Sequence, residues 1–169
     1  MKLWRIAAST RSYGAADLTG TGAGLSPGRW NSEGVKAVYC APTRAMAVLE
    51  TAAHVDTHGF PLNRFLVDIS VPDDVWAGRE VTDSDSLDPQ WSAIPAGFAS
   101  ADFGTGWVLR GATALIELPS VIVHEESVVL INPAHPDAAK IAAKVVRKLE
   151  YDALFRRQPA GPINPRTLP

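Results

Sequence analysis

Apolar and polar positions alternate in "KAVYC" (36–40), and Pro42 follows, the pattern of a strand that leads into a helix start. The next run, "PTRAMAVLETAAHVDTH", changes period: Ala45, Met46, Leu49, Ala52 and Ala53 fall on one arc at 3.6 residues per turn, which predicts a central helix. "RFLVDISV" (64–71) is rich in β-branched and apolar residues and is closed by Pro72, so it predicts a strand. From 73 to 111 Asp, Ser, Gly and Pro punctuate Trp76, Trp91, Phe98 and Trp107, which predicts a long irregular covering held down by aromatic packing. "ATALIELPS" and "SVVLINP" read as strands on either side of "VIVHEE", itself expected to begin as a strand and end in a turn. "HPDAAKIAAKVVRKLEYDALF" places Ile141, Val145 and Leu149 at helical spacing after Pro136, which predicts a C-terminal helix. The sum is an α+β fold of mostly antiparallel short strands with a central and a C-terminal helix.

With 169 residues, 46% of them hydrophobic, the chain can bury one good core, and one domain over 1–155 is expected. The remainder, 156–169, is proline-rich and predicts an extended, poorly ordered tail. Charged residues are 20% of the chain and the formal net charge is -2, so no basic surplus points to direct nucleic-acid binding. The single cysteine, Cys40, forms no internal disulfide, and "MKLWRIAASTRSYG" has arginines where a signal peptide needs its apolar stretch; a cytoplasmic location is expected. No apolar run reaches the ~20 residues that cross a bilayer.

Candidate chemistry starts with "GTGAGLSPGRWNSEG". Leucine stands where the dinucleotide fingerprint needs its third glycine, and no Gly-Lys-Ser/Thr follows for a P-loop, so the glycines alone read as a mobile loop. Arg29, between Gly28 and Trp30, offers a fork for phosphate or carboxylate oxygens; the plainer reading is an ion pair or a stack on Trp30. Glu50 lies at the edge of the apolar arc, where a carboxylate snorkels, pairs or works, since burying it alone is costly. Tyr39 ends the preceding strand, either as half-buried core or as part of the same region. Glu50, His54 and His58 form an i, i+4, i+8 ladder, but the helical rise spreads them over ~12 Å, too far for one ion; a pair joined by a remote His124 or His135 is the alternative, and no metal is expected. Ser120 lacks a nucleophile elbow, and Cys40 reads as a small buried thiol.

"GRWNSEG", "AVYCA", "AVLE", "LPS" and "LINPAHPDA" follow one another in an order and at a spacing similar to the RES domain, a family of toxins in RES–Xre type toxin–antitoxin systems. The resemblance covers roughly residues 3–155; the ending "YDALFRRQ" departs from the family pattern, and Ser127 is a rival for the serine that "LPS" matches better. It implies an ADP-ribosyltransferase-like fold with Arg29, Tyr39, Glu50 and Ser120 as catalytic residues, and Gly28, Arg29, Trp30, Asn31, Tyr39 and Asn132 as substrate contacts. It also implies NAD+ as substrate, cleaved at the nicotinamide–ribose bond with water or inorganic phosphate as acceptor, and silencing by an Xre-type antitoxin protein in a hetero-oligomer. Protein ADP-ribosylation, and a catalytically silent module that binds nucleotide or antitoxin, are the alternatives. On residue type and this resemblance together, Arg29 holds the pyrophosphate, Tyr39 stacks on nicotinamide, Glu50 stabilises the charge that grows on the ribose, and Ser120 orients a ribose hydroxyl or Glu50 itself.

Overall fold

The computed structural model describes residues 1–53 and 63–150. These form strands β1 (Lys2–Ala8), β2 (Val38–Cys40), β3 (Arg64–Ser70), β4 (Glu80–Val81), β5 (Leu115–Pro119), β6 (Ser127–Ile131) and β7 (Ala142–Leu149). The helices are α1 (Thr21–Leu25), α2 (Arg44–Ala52), α3 (Asp73–Ala77) and α4 (Phe98–Arg110). The α+β class with mostly antiparallel strands agrees with the sequence.

Two sheets result, ordered β1-β3-β7 and β2-β6-β5-β4, with all pairs antiparallel except β4 with β5. Alternation decides what each face meets. Leu3, Val67 and Ile69 on one face of the first sheet share a core with Val38, Leu115, Val129 and Ile131 of the second. The opposite face of the first sheet carries Ile6 and Leu66, which pack with Met46 and Ala47 of α2 and with Leu149. The opposite face of the second sheet carries Ile116, Leu118 and Leu130 beneath Trp30, Trp91 and Trp107. An isolated bridge between Trp4 and Ala41, with both N–H···O bonds at 2.8 Å, ties an edge of one sheet to an edge of the other.

The structure corrects several expectations. Residues 136–149 are not helical: Pro136–Lys140 is a 3₁₀ turn and Ala142–Leu149 is a strand paired to β3, with a bulge opposite Leu66 and Val67. Positions 141, 145 and 149 are four apart and would share a helical face, but the bulge turns Leu149 to the sheet face opposite Ile141, and pairing to β3 decides for the strand. The segment 73–111 holds α3, β4, two 3₁₀ turns and the 13-residue α4, so it is far from irregular. The run 121–126 is bends and a turn, with no strand, and Thr21–Leu25 of the glycine-rich run forms a short helix. In α2, Ala45 and Ala53 are exposed, and the buried pair is Met46 and Ala47. The expected tail 156–169 and the far end of the predicted central helix, with His54 and His58 of the ladder, lie outside the described residues. Among the described residues no helix is long and apolar enough to cross a membrane.

Candidate active site

The loop "GRWN" is closed by its own polar groups. The Asn31 carbonyl oxygen accepts from the Gly28 N–H at 3.0 Å and from the Tyr39 hydroxyl at 2.7 Å, and that hydroxyl accepts from the Trp30 N–H at 2.9 Å. The Asn31 amide nitrogen donates to the carbonyls of Ala23, Ser32 and Val35. Only glycine fits at 28: a Cβ there would stand 2.7 Å from the Tyr39 ring and from its hydroxyl oxygen. The Trp30 ring, 2% exposed, stacks on Trp91 at 5.8 Å and meets Phe103 edge-on at 6.2 Å. From behind, α4 presses Gly104 onto the Trp30 backbone, and Thr105 accepts from the Ser32 N–H at 2.9 Å.

Arg29 leaves this ring with its guanidinium aimed by two carbonyls: Nη1 donates to Trp91 O at 2.7 Å and to Ala93 O at 3.0 Å. Burial lowers its pKa, while the charges of Glu50 and Tyr39 oppose that, so Glu50 and Tyr39 both lie within electrostatic reach. Burial pushes the Tyr39 phenol well above its usual range; the Trp30 N–H bond and the Arg29 charge oppose this only in part, and Tyr39 acts as a neutral hydrogen-bonding group.

Glu50 arrives from α2. Thr43 caps that helix by accepting from the Met46 N–H, and Met46 and Ala47 turn inward, so Glu50, one turn on, projects over the same side toward the 120–123 turn. There the Ser120 hydroxyl donates to Glu50 Oε1 at 2.6 Å and accepts from the N–H groups of Ile122 and Val123 at 3.1 and 3.2 Å. Ser120 is 1% exposed, so its hydroxyl is a fixed donor. Ser127, the rival serine, donates instead to Glu117, which pairs with Arg79.

Of the residues singled out from sequence, Arg29, Tyr39, Glu50 and Ser120 therefore share one neighbourhood, with Gly28, Trp30 and Asn31 building the loop beneath Arg29. Asn31 and Asn132 are 1% and 0% exposed, and their amides hold backbone. Asn132 pairs with Ala114 at the end of β5 opposite Ser120, roughly 20 Å away along the strand; it braces the fold at a distance from the other four. Sequence reading did not single out the carbonyls of Trp91 and Ala93 or Gly104, and it named His124, whose ring lies 5.9 Å from Trp91, only as a remote metal ligand. The only signal was the aromatic density of 73–111.

Comparison with known proteins gives the family and the fold. The RES domain family matches residues 2–153. A "Prs ADP-ribosylating toxin" of Sphingobium sp. (strain YBL2) is 53% identical over 155 residues, covering 92% of this chain and 96% of that protein. A "Toxin Res" of Pseudomonas putida is 33% identical over 86% of this chain and 93% of its own length, and one of Photorhabdus laumondii is 32% identical over 89% and 93%. A chain in the crystal structure of the M.tuberculosis MbcT-MbcA toxin-antitoxin complex has the same fold, with a TM-score of 0.61, 14% identity, and coverage of 91% of this chain and 86% of that one. With the family match spanning nearly the whole chain and relatives this close over their full length, the protein belongs to the RES domain family.

Proposed function

We propose that this protein is the toxin of a toxin–antitoxin pair, that it breaks the nicotinamide–ribose bond of NAD+, and that it passes ADP-ribose to a protein acceptor. The observation that carries the reading is the 2.6 Å bond from Ser120 to Glu50, with the Arg29 guanidinium near enough to feel the carboxylate. Nicotinamide leaves a cationic glycosidic nitrogen as a neutral base and takes the bonding pair with it, so no acid is needed to protonate it and one carboxylate suffices. Positive charge then grows on the ribose. Glu50, held by Ser120, is a fixed anion for that charge, and such an anion favours the transition state over the ground state. Arg29, pre-aimed by two carbonyls, holds the diphosphate, so remote binding energy sets the position of the reacting ribose. Tyr39 keeps the loop under Arg29 in shape.

Transfer to protein is favoured over water or phosphate by the relative with 53% identity over 92% of the chain, whose name describes ADP-ribosylation of Prs. A cognate antitoxin partner is supported by the fold shared with a chain of a toxin–antitoxin complex. The cytoplasm, where NAD+ and such acceptors are found, is the proposed location. The test incubates the purified chain with labelled NAD+, with and without Prs and with and without inorganic phosphate, and follows nicotinamide and the label. Label retained on Prs, lost in Glu50→Gln, supports the reading. Free ADP-ribose, or its phosphorylated counterpart, as the sole product would replace the protein by water or phosphate as acceptor. Absence of nicotinamide release from folded protein would make the chain a silent binding module.

A further inference from the structure

Arg29 also borders a cavity of about 210 Å³ lined by Pro27, Gly28, Gly97, Phe98 and Ala101. Phe98 opens α4 and is 86% exposed, the most exposed large apolar side chain among the described residues. Ile94, on the same segment, is 83% exposed. A lone exposed phenylalanine needs no explanation, but one that borders a cavity shared with a binding-site arginine marks a contact made by a ligand.

The ligand follows from the order of groups along a dinucleotide. The scissile ribose belongs beside Glu50 and the diphosphate beside Arg29, so the adenosine half continues from Arg29 away from Glu50, and this cavity is lined by Arg29 but by neither Glu50 nor Ser120. We infer that the cavity between Gly28 and Phe98 receives the adenosine half of NAD+, with the Phe98 ring as the surface on which the adenine stacks. The inference rests on the NAD+ reading of the site and deepens it. The lining is chiefly apolar, and the Asn31 amide beside it is committed to backbone carbonyls, so the subsite grips a flat ring by its faces. A Cβ at Gly97 would meet nothing within 4 Å, and with alanine at 101 this leaves the space open beside the backbone.

The test measures initial rates of nicotinamide release against NAD+ concentration, with Prs present as acceptor, for the unaltered chain, Phe98→Ala and Phe98→Tyr, with thermal melting as the check on folding. Because Phe98 is exposed, its truncation is expected to leave the fold intact. Loss of one stacking surface should raise the KM for NAD+ by about tenfold, more than it lowers kcat, and tyrosine should restore it. AMP, which carries adenosine but no nicotinamide, should compete with NAD+ on the unaltered chain and lose about the same factor in Phe98→Ala. Unchanged KM and unchanged AMP competition in Phe98→Ala, with nicotinamide still released, would overturn the subsite and leave the NAD+ reading standing. Unchanged KM with loss of transfer to Prs alone would reassign Phe98 to the acceptor and also overturn it. Absence of release from the unaltered chain would overturn the NAD+ reading, and the subsite with it.

Discussion

The hydroxyl of Ser120 donates to Glu50 Oε1 at 2.6 Å across 70 positions of sequence, and the same oxygen accepts the N–H groups of Ile122 and Val123. Ser120 is thus both a clamp on a carboxylate and the staple of a turn. Ser120→Ala is expected to lower nicotinamide release by about a hundredfold by loosening Glu50, and to cost about 1–3 kcal/mol because two N–H groups lose their acceptor. Glu50→Gln keeps an acceptor for Ser120 and should lower release about a thousandfold with little change in melting temperature. Rates and melts on the same samples check both. A fully active Glu50→Gln enzyme would remove the carboxylate from the mechanism.

Tyr39→Phe separates a stacking ring from a structural hydroxyl. The phenol accepts from Trp30 and donates to Asn31, so its removal leaves a half-buried N–H and an amide oxygen short of partners. Loss of about 1–3 kcal/mol in urea unfolding is expected, together with a raised KM for NAD+, because the loop that carries Arg29 relaxes. If the ring alone mattered, Tyr39→Phe would match the unaltered protein in both measurements.

Two glycines of α4 should respond in opposite directions. A Cβ at Gly104 would lie 2.0 Å from the Trp30 carbonyl oxygen, while nothing stands within 4 Å of one at Gly106. Gly104→Ala is expected to cost about 3 kcal/mol and to lower activity by lifting the helix off the loop. Gly106→Ala should gain up to about 1 kcal/mol from helix propensity. Denaturation midpoints of the two variants settle the contrast.

Alkaline pH tests the core around β2. Burial pushes the Cys40 thiol from 9.0 up to about 12, with the Arg5 charge opposing. The unfolded thiol loses its proton first as pH rises, so the unfolded state binds fewer protons and stability falls with pH above about 9. Below that it is fully present. Tyr39, also raised by burial, acts in the same direction at higher pH. Melting temperature should therefore decline from about pH 9 toward about pH 12, less steeply in Cys40→Ala, and a thiol reagent should leave native Cys40 unmodified near neutral pH. Equal slopes for the two proteins would assign the decline to other groups.

The residues that the structure brings together, Arg29, Tyr39, Glu50 and Ser120, were legible as a group through the resemblance of short segments such as "GRWN" and "LPS" to the RES domain, since residue type and spacing alone left a plainer reading open for each. The helix edge is where the ambiguity about Glu50 arose, and the partner that resolves it lies 70 residues on. Where expectation failed, the determinant was tertiary. Gly104 and Gly106 make α4 look like loop, yet Gly104 is there for contact with Trp30. Ile141, Val145 and Leu149 keep a helical spacing, and only the pairing with β3 decides for the strand. In β1, burial runs over Ile6 and Ala7 together and hides the alternation that its pairing with β3 imposes. Asn31 and Asn132, expected to touch substrate, are buried with their amides on backbone groups, an arrangement that residue type alone does not foretell.

The supports of the Arg29 loop come from much later in the chain: Trp91 and Ala93 hold Arg29, Thr105 holds Ser32, and Ser120 holds Glu50, over separations of 62, 64, 73 and 70 residues. A chain emerging from the ribosome therefore carries Arg29 and Glu50 long before it carries the residues that hold them. Under the proposed reading, a nascent or truncated product that ends before residue 120 lacks both the serine that clamps Glu50 and the strand β6 of the second sheet, so it holds the candidate reactive groups without the assembled site.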